Sequence, residues 1–196
     1  MQTLEADWEI ELCSDSQVID GCWPGFVDLR LAPERVTEIS EANEFQALAV
    51  ALVRLNAQVS PVWTTKCDRW EVDAFDPYEL DALLESADHA IAAACYIDLL
   101  PRSDQQWHLP VEAVAACKHL CAELHVVPLR NCRADLIIRR AVIAPVVGNN
   151  LGITVYLTAC GATLNDASAQ LGLALAAFAD SVVAAGSPVA GGSKLQ

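Results

Sequence analysis

Ala134-Asp135-Leu136-Ile137-Ile138-Arg139-Arg140-Ala141-Val142-Ile143-Ala144-Pro145-Val146-Val147 is followed, after Gly148-Asn149-Asn150, by Leu151-Gly152-Ile153-Thr154-Val155-Tyr156-Leu157-Thr158-Ala159-Cys160. The two apolar runs flank three residues that tolerate positive φ, a pattern that predicts a β-hairpin with its tip at Gly148-Asn149-Asn150. Pro145 marks a bulge or an exposed edge, because a proline has no amide to give a ladder. A long hairpin among amphipathic helices predicts an α+β fold: antiparallel strands covered by helices.

Downstream, Thr163 caps a helix with Asp166 three residues on, and Gly186 followed by Pro188 ends it. Its apolar stripe is Leu171, Leu175, Phe178 and Val182, while Ala169, Gly172, Ala176 and Ala179 leave a second face small and smooth. Upstream, Pro110 opens a helix that runs to about His125, and Ala90 to Leu100 reads as a buried strand stopped by Pro101. Asp76-Pro77-Tyr78-Glu79 carries the cap, first-turn proline and acid of a helix start, and residues 61 to 74 read as a strand. Ser40 to Asn56 predicts one helix whose Phe45, Leu48, Ala49, Leu52 and Leu55 face the core. Trp8 to Cys13 and Phe26 to Leu31 read as strands on either side of a turn at residues 21 to 25.

Phe26-Val27-Asp28-Leu29 is echoed by Tyr96-Ile97-Asp98-Leu99, and each is followed by a Pro-containing turn, a helix, a proline (Pro61 or Pro128) and a cysteine (Cys67 or Cys132). The echo fits an internal duplication of a β-α-β unit, and it fits ordinary α+β patterning as well. On the duplicated reading, one globular domain over residues 1–185 divides into halves at about 20–88 and 89–185, and 186–196 form a flexible tail.

Composition narrows the function classes. A formal charge of −14 argues against nucleic acid and anionic membranes, which attract clustered cations, so neither is expected as a partner. The first residues carry no basic region and no apolar core, so the expected location is the cytoplasm. Asp180 and Gly172 interrupt the apolar stretch from Ala167 to Ala185, which therefore reads as a packed helix rather than a span.

Eight cysteines in a reducing compartment are expected to stay free. Cys117, Cys121, His125 and Cys132 could make a zinc site, but their spacing matches no zinc motif, and Val114, Cys117, Cys121 and Leu124 form the apolar stripe of their helix. No metal and no cofactor is expected. Arg130, Arg133, Arg139 and Arg140 cluster around Cys132, so Arg130, Cys132, Arg133 and Arg139 are the candidate residues for an anionic ligand, with the thiol activated if exposed. Pairing of these arginines with nearby carboxylates on an edge strand is the competing explanation. Asp28 and Asp98 are candidate paired carboxylates. P-loop, dinucleotide, nucleophile-elbow and His-Glu-x-x-His patterns are all missing.

The expected function is an acidic protein-binding or regulatory module, with a protein partner or with self-association through the small-residue face of the C-terminal helix. The alternative is a small enzyme or anion-binding protein with its site between the halves, near Arg130, Cys132 and Arg133.

Overall fold

The computed structural model describes residues 3–80, 90–102, 107–143 and 146–186. Six strands form one mixed sheet: β1 (Glu5–Glu11), β2 (Ile19–Asp20), β3 (Val62–Phe75), β4 (Ala90–Pro101), β5 (Cys132–Ile143) and β6 (Val146–Gly161). The order across it is β1-β5-β6-β4-β3, with β2 continuing along the same edge of β5 as β1. The helices are α1 (Ser40–Glu44), α2 (Gln46–Asn56), α3 (Pro110–Leu124) and α4 (Leu164–Gly186). The α+β class is as the sequence predicts.

β5 and β6 form the expected hairpin, but the ladder continues to Ile143↔Val146, so Gly148, Asn149 and Asn150 lie inside β6 and not at its tip. The expected bulge or edge at Pro145 lies outside the described residues. β1 and β2 pair with β5 in parallel, which makes the sheet mixed where antiparallel strands are expected. The expected strand at Phe26–Leu31 does not form; those residues are turn and irregular backbone. Asp28 accounts for this, because its carboxylate accepts from the Arg30 backbone N–H at 3.0 Å and from the Arg30 guanidinium at 2.8 and 2.7 Å, closing a local turn. The two echoed tetrads are therefore not equivalent strands. The boundary proposed between the halves and the tail after Gly186 lie outside the described residues.

Alternation along the strands sorts side chains into two faces. Leu136 and Ile138 of β5, Val155 and Leu157 of β6 and Ile97 and Leu99 of β4 point into the main core with no exposure. Among the described residues all four helices supply that core: Ala42 from α1, Leu48, Leu52 and Leu55 from α2, Cys117 and Leu124 from α3, and the full predicted stripe of α4. The single helix expected from Ser40 to Asn56 breaks at Phe45, whose φ of −131° is extended. Asn56 then fastens the end of α2 to the sheet: its side-chain amide donates to Leu52 O (2.8 Å) and Thr64 Oγ1 (2.7 Å), and its Oδ1 accepts from Thr64 N–H (3.1 Å). Thr163 caps α4 as expected, with Asp166 N–H donating to its Oγ1 at 3.2 Å. At Gly161 a Cβ would lie 2.8 Å from the Ala167 backbone N, so the end of β6 meets the first turn of α4 through a glycine.

α4 is the one described helix long and apolar enough to cross a membrane by length and composition, a test the sequence reading expected it to fail. Leu171, Leu175, Phe178 and Val182 of this helix are buried in the core, and 33% of its most apolar stretch is buried.

Among the described residues, the opposite face of the sheet is covered by apolar clusters at its two ends. Ile19, Trp63, Leu100 and Ala141 cluster with Phe26 at one end, and Leu80, Ala90, Ala92 and Cys160 cluster with Val72 and Phe75 at the other.

Candidate functional site

Between those two clusters lies a polar and aromatic strip. The register puts Asp98 of β4 beside Thr154 of β6 and Tyr96 beside Tyr156, and Tyr156 in turn beside Asp135 of β5. Arg139 is the cationic centre, only 5% exposed. Its guanidinium donates to Glu11 Oε2 (3.0 Å from Nε), Gln17 Oε1 (3.0 Å), Thr154 Oγ1 (3.2 Å) and Tyr156 Oη (3.4 Å). Thr154 Oγ1 donates onward to Asp98 Oδ1 at 2.6 Å, in a position where Asp98 is 2% exposed. Burial opposes the Arg139 charge, and its bonds to Tyr156 and Glu11 more than offset it, raising the pKa.

Burial acts the other way on Asp98, raising its pKa against the opposing pull of the Thr154 hydrogen bond, Arg139 and Lys66. A buried acid with a raised pKa holds its proton more tightly folded than unfolded. Its contribution to stability is full below the ordinary value of 3.8 and is lost as the pH rises through the folded value. Asp98→Asn keeps an acceptor for Thr154 without the charge. It is expected to be more stable than the parent at neutral pH, by a margin that shrinks as the pH falls toward 3.8. Urea unfolding across that pH range checks the sign; a margin that grows on acidification contradicts it.

Three rings stand above this network. Trp70, Tyr96 and Tyr156 are in mutual contact, with centroids 6.4, 6.4 and 5.9 Å apart. Trp70 is 38% exposed and the tyrosines are half-buried. Burial, with Asp98 and Asp68 nearby, pushes the Tyr96 hydroxyl up to about 12, so it is a neutral donor. Along the β1 edge of the same face, Glu5, Asp7 and Glu9 are exposed; on β3, Asp68 is exposed opposite Tyr96. The face is aromatic at its centre and acidic at its rim.

The residues singled out from sequence are divided between surfaces. Arg130 is exposed, before the left-handed turn at Asn131 (φ 58°) that leads into β5. Cys132 is buried on the helix side, its thiol 3.7 Å from Gln170 O of α4, and burial pushes its pKa up to about 12. That environment suits an inert core thiol and not a nucleophile. Arg133 points to the other face and pairs with Asp135 at 2.7 Å. Arg139 shares that face, but six residues of strand separate the two by about 20 Å. Asp28 is held by Arg30, which with its own hydrogen bonds keeps the carboxyl below its usual range, so Asp28 and Asp98 have separate partners. Cys117 and Cys121 are in the core, and His125 Nε2 accepts from the Ala6 N–H of β1 at 3.2 Å. Among the described residues no group of three His, Cys, Asp or Glu side chains is arranged to hold a metal.

No family model, curated protein or solved structure matches this chain.

On α4, Gly172 and Ala179 of the small-residue face turn inward. A Cβ on Gly172 would lie 3.2 Å from Ala47 of α2, and Ala179 is fully buried. Ala169, Ala176 and Leu173, the last 55% exposed, are left outward. The aromatic triad was missed from sequence because its members are far apart in the chain. The available signal was that Trp70, Tyr96 and Tyr156 each fall in a strand on the register parity of the polar residues Asp68, Asp98 and Thr154.

Proposed function

We propose that this protein is a protein-binding module that docks a basic partner on the open face of its sheet. The observation that supports this most is the contacting triad Trp70, Tyr96 and Tyr156, left accessible on a face whose arginines, Arg133 and Arg139, are already paired with Asp135 and Glu11. Aromatic clusters of this kind are the usual energetic centres of protein interfaces, because they bury large area with little loss of side-chain entropy. The rim of Glu5, Asp7, Glu9 and Asp68 selects the sign of the partner and speeds its encounter. The eight cysteines, none of them in a disulfide, suit a module working in the reducing cytoplasm.

An array of basic peptides containing aromatic and aliphatic residues, probed with the labelled protein, tests this. Bound peptides are expected to lose about 2 kcal/mol, roughly thirtyfold in affinity, when Trp70→Ala is used. Added salt is expected to weaken binding further, mainly through slower association. Equal binding by the parent and Trp70→Ala, or the absence of any bound peptide, contradicts the proposal.

A further inference from the structure

A second concave site lies over the free edge of β3, bordering the open face at Tyr96. The ladder between β3 and β4 pairs Thr64 with Leu99 and then Cys67 with Ile97, so Thr65 and Lys66 together oppose Asp98 in a β-bulge. Bulges turn side chains out of the regular alternation and recur beside functional sites. The chain segment after β2 crosses this edge: Phe26 packs with Trp63 on one side of the sheet, and Val27 and Leu29 pack into the main core on the other. Trp23 Nε1 donates to the bulge carbonyl Thr65 O at 3.2 Å, fixing the crossing to the bulge. Between them is a cavity of about 380 Å³.

The lining combines three chemistries. Lys66 supplies a cation from the bulge, with its Nζ 5.4 Å from the Trp23 ring. Glu41, which accepts from Ser40 Oγ at 2.8 Å, supplies a carboxylate from α1. Val27, Ile39 and Leu52 supply an apolar wall. Thr65 also lines the cavity, is only 8% exposed, and its Oγ1 is a buried side-chain atom with no hydrogen-bond partner. An unpaired buried hydroxyl costs stability unless something polar meets it. Arg69 Nε is also without a partner, but the rest of that guanidinium bonds to Ser168 and Glu71, whereas Thr65 has no other side-chain polar atom.

We infer that this cavity binds a small zwitterion of the free amino-acid class, with its carboxylate on Lys66 and Thr65 Oγ1, its ammonium on Glu41, and its side chain against Val27, Ile39 and Leu52. Opposite charges presented from separate elements beside an apolar wall match that chemistry better than they match a simple anion or amine. Tyr96 borders both this cavity and the docking face, but Trp70 lies outside the cavity and Thr65 outside the aromatic triad, so Trp70→Ala and Thr65→Val test the two readings separately.

The test is a titration of the purified full chain with each of the common free amino acids, followed by thermal shift and by amide chemical shifts. The controls are the decarboxylated amine and the N-acetylated acid of any amino acid that binds. One or a few apolar amino acids are expected to bind and to shift the amides of Thr65 and Lys66, with both controls weaker by tenfold or more. Thr65→Val preserves shape and removes only an unpaired hydroxyl, so it is expected to unfold at the parent's temperature or above and to bind at least tenfold more weakly. Lys66→Met is expected to lose discrimination between the amino acid and its amine. No binding by any amino acid, equal binding of both controls, or unchanged binding by Thr65→Val overturns the inference.

Discussion

Arg139→Ala is expected to destabilise the protein by about 3–5 kcal/mol, the range for removing one partner from a buried, hydrogen-bonded charge network. The guanidinium is 5% exposed and contacts four side chains on three strands or their connections: Glu11, Gln17, Thr154 and Tyr156. Its loss leaves Thr154 and Asp98 buried without the cation, while the Glu11 partner, 38% exposed, returns to solvent. Arg133 is the internal comparison. It lies on the same strand and the same face, but its pair with Asp135 is 39% and 37% exposed, so Arg133→Ala is expected to change stability by no more than about 1 kcal/mol. Urea denaturation of the two variants in parallel checks both, and similar losses at the two positions contradict the assignment of Arg139 to the centre of the network.

Phe178→Ala is expected to cost about 3–5 kcal/mol, from lost transfer free energy and the cavity left behind. Phe178 is fully buried on α4, among the same core residues as Leu175 and Val182 and the inward side chains of α2, β4 and β6. Leu173 on the outer side of the same helix is 55% exposed, and Leu173→Ala is expected to shift stability by only about 0.5 kcal/mol. Chemical denaturation with an unchanged slope checks that the loss comes from the native core. Reversal of the two effects contradicts the burial of α4 described here.

Much of the fold was legible in the residues. The α4 stripe, its Thr163 cap, the strand from Ala90 and the hairpin partners were all announced by period and punctuation, signals that depend on neighbours a few residues apart. The errors are of another kind. Phe26-Val27-Asp28-Leu29 has strand composition, yet Asp28 bonds Arg30 two residues on and local turn chemistry wins over β propensity. The parallel pairing of β1 with β5 joins residues more than a hundred positions apart, and nothing in either strand specifies the direction of its partner. The candidate site was less legible than the fold. Arg139 was singled out for clustering with Arg130 and Arg133 around Cys132, but strand alternation sends Cys132 to the helices and Arg133 and Arg139 to the opposite face. The triad and the bulge are products of register, which a one-residue shift would erase and which pattern alone does not fix.

The most direct test of the docking face is site-specific photo-cross-linking in the native host. A photoreactive phenylalanine derivative would replace Asp68, beside Tyr96 on the open face, or Leu173, on the outer side of α4. The expected result is a discrete adduct with a basic protein from position 68, reduced at least tenfold when Trp70→Ala is added, and no adduct from position 173. Adducts from position 173 alone, a self-adduct from position 68, or an adduct indifferent to Trp70→Ala would contradict the open sheet face as the docking surface.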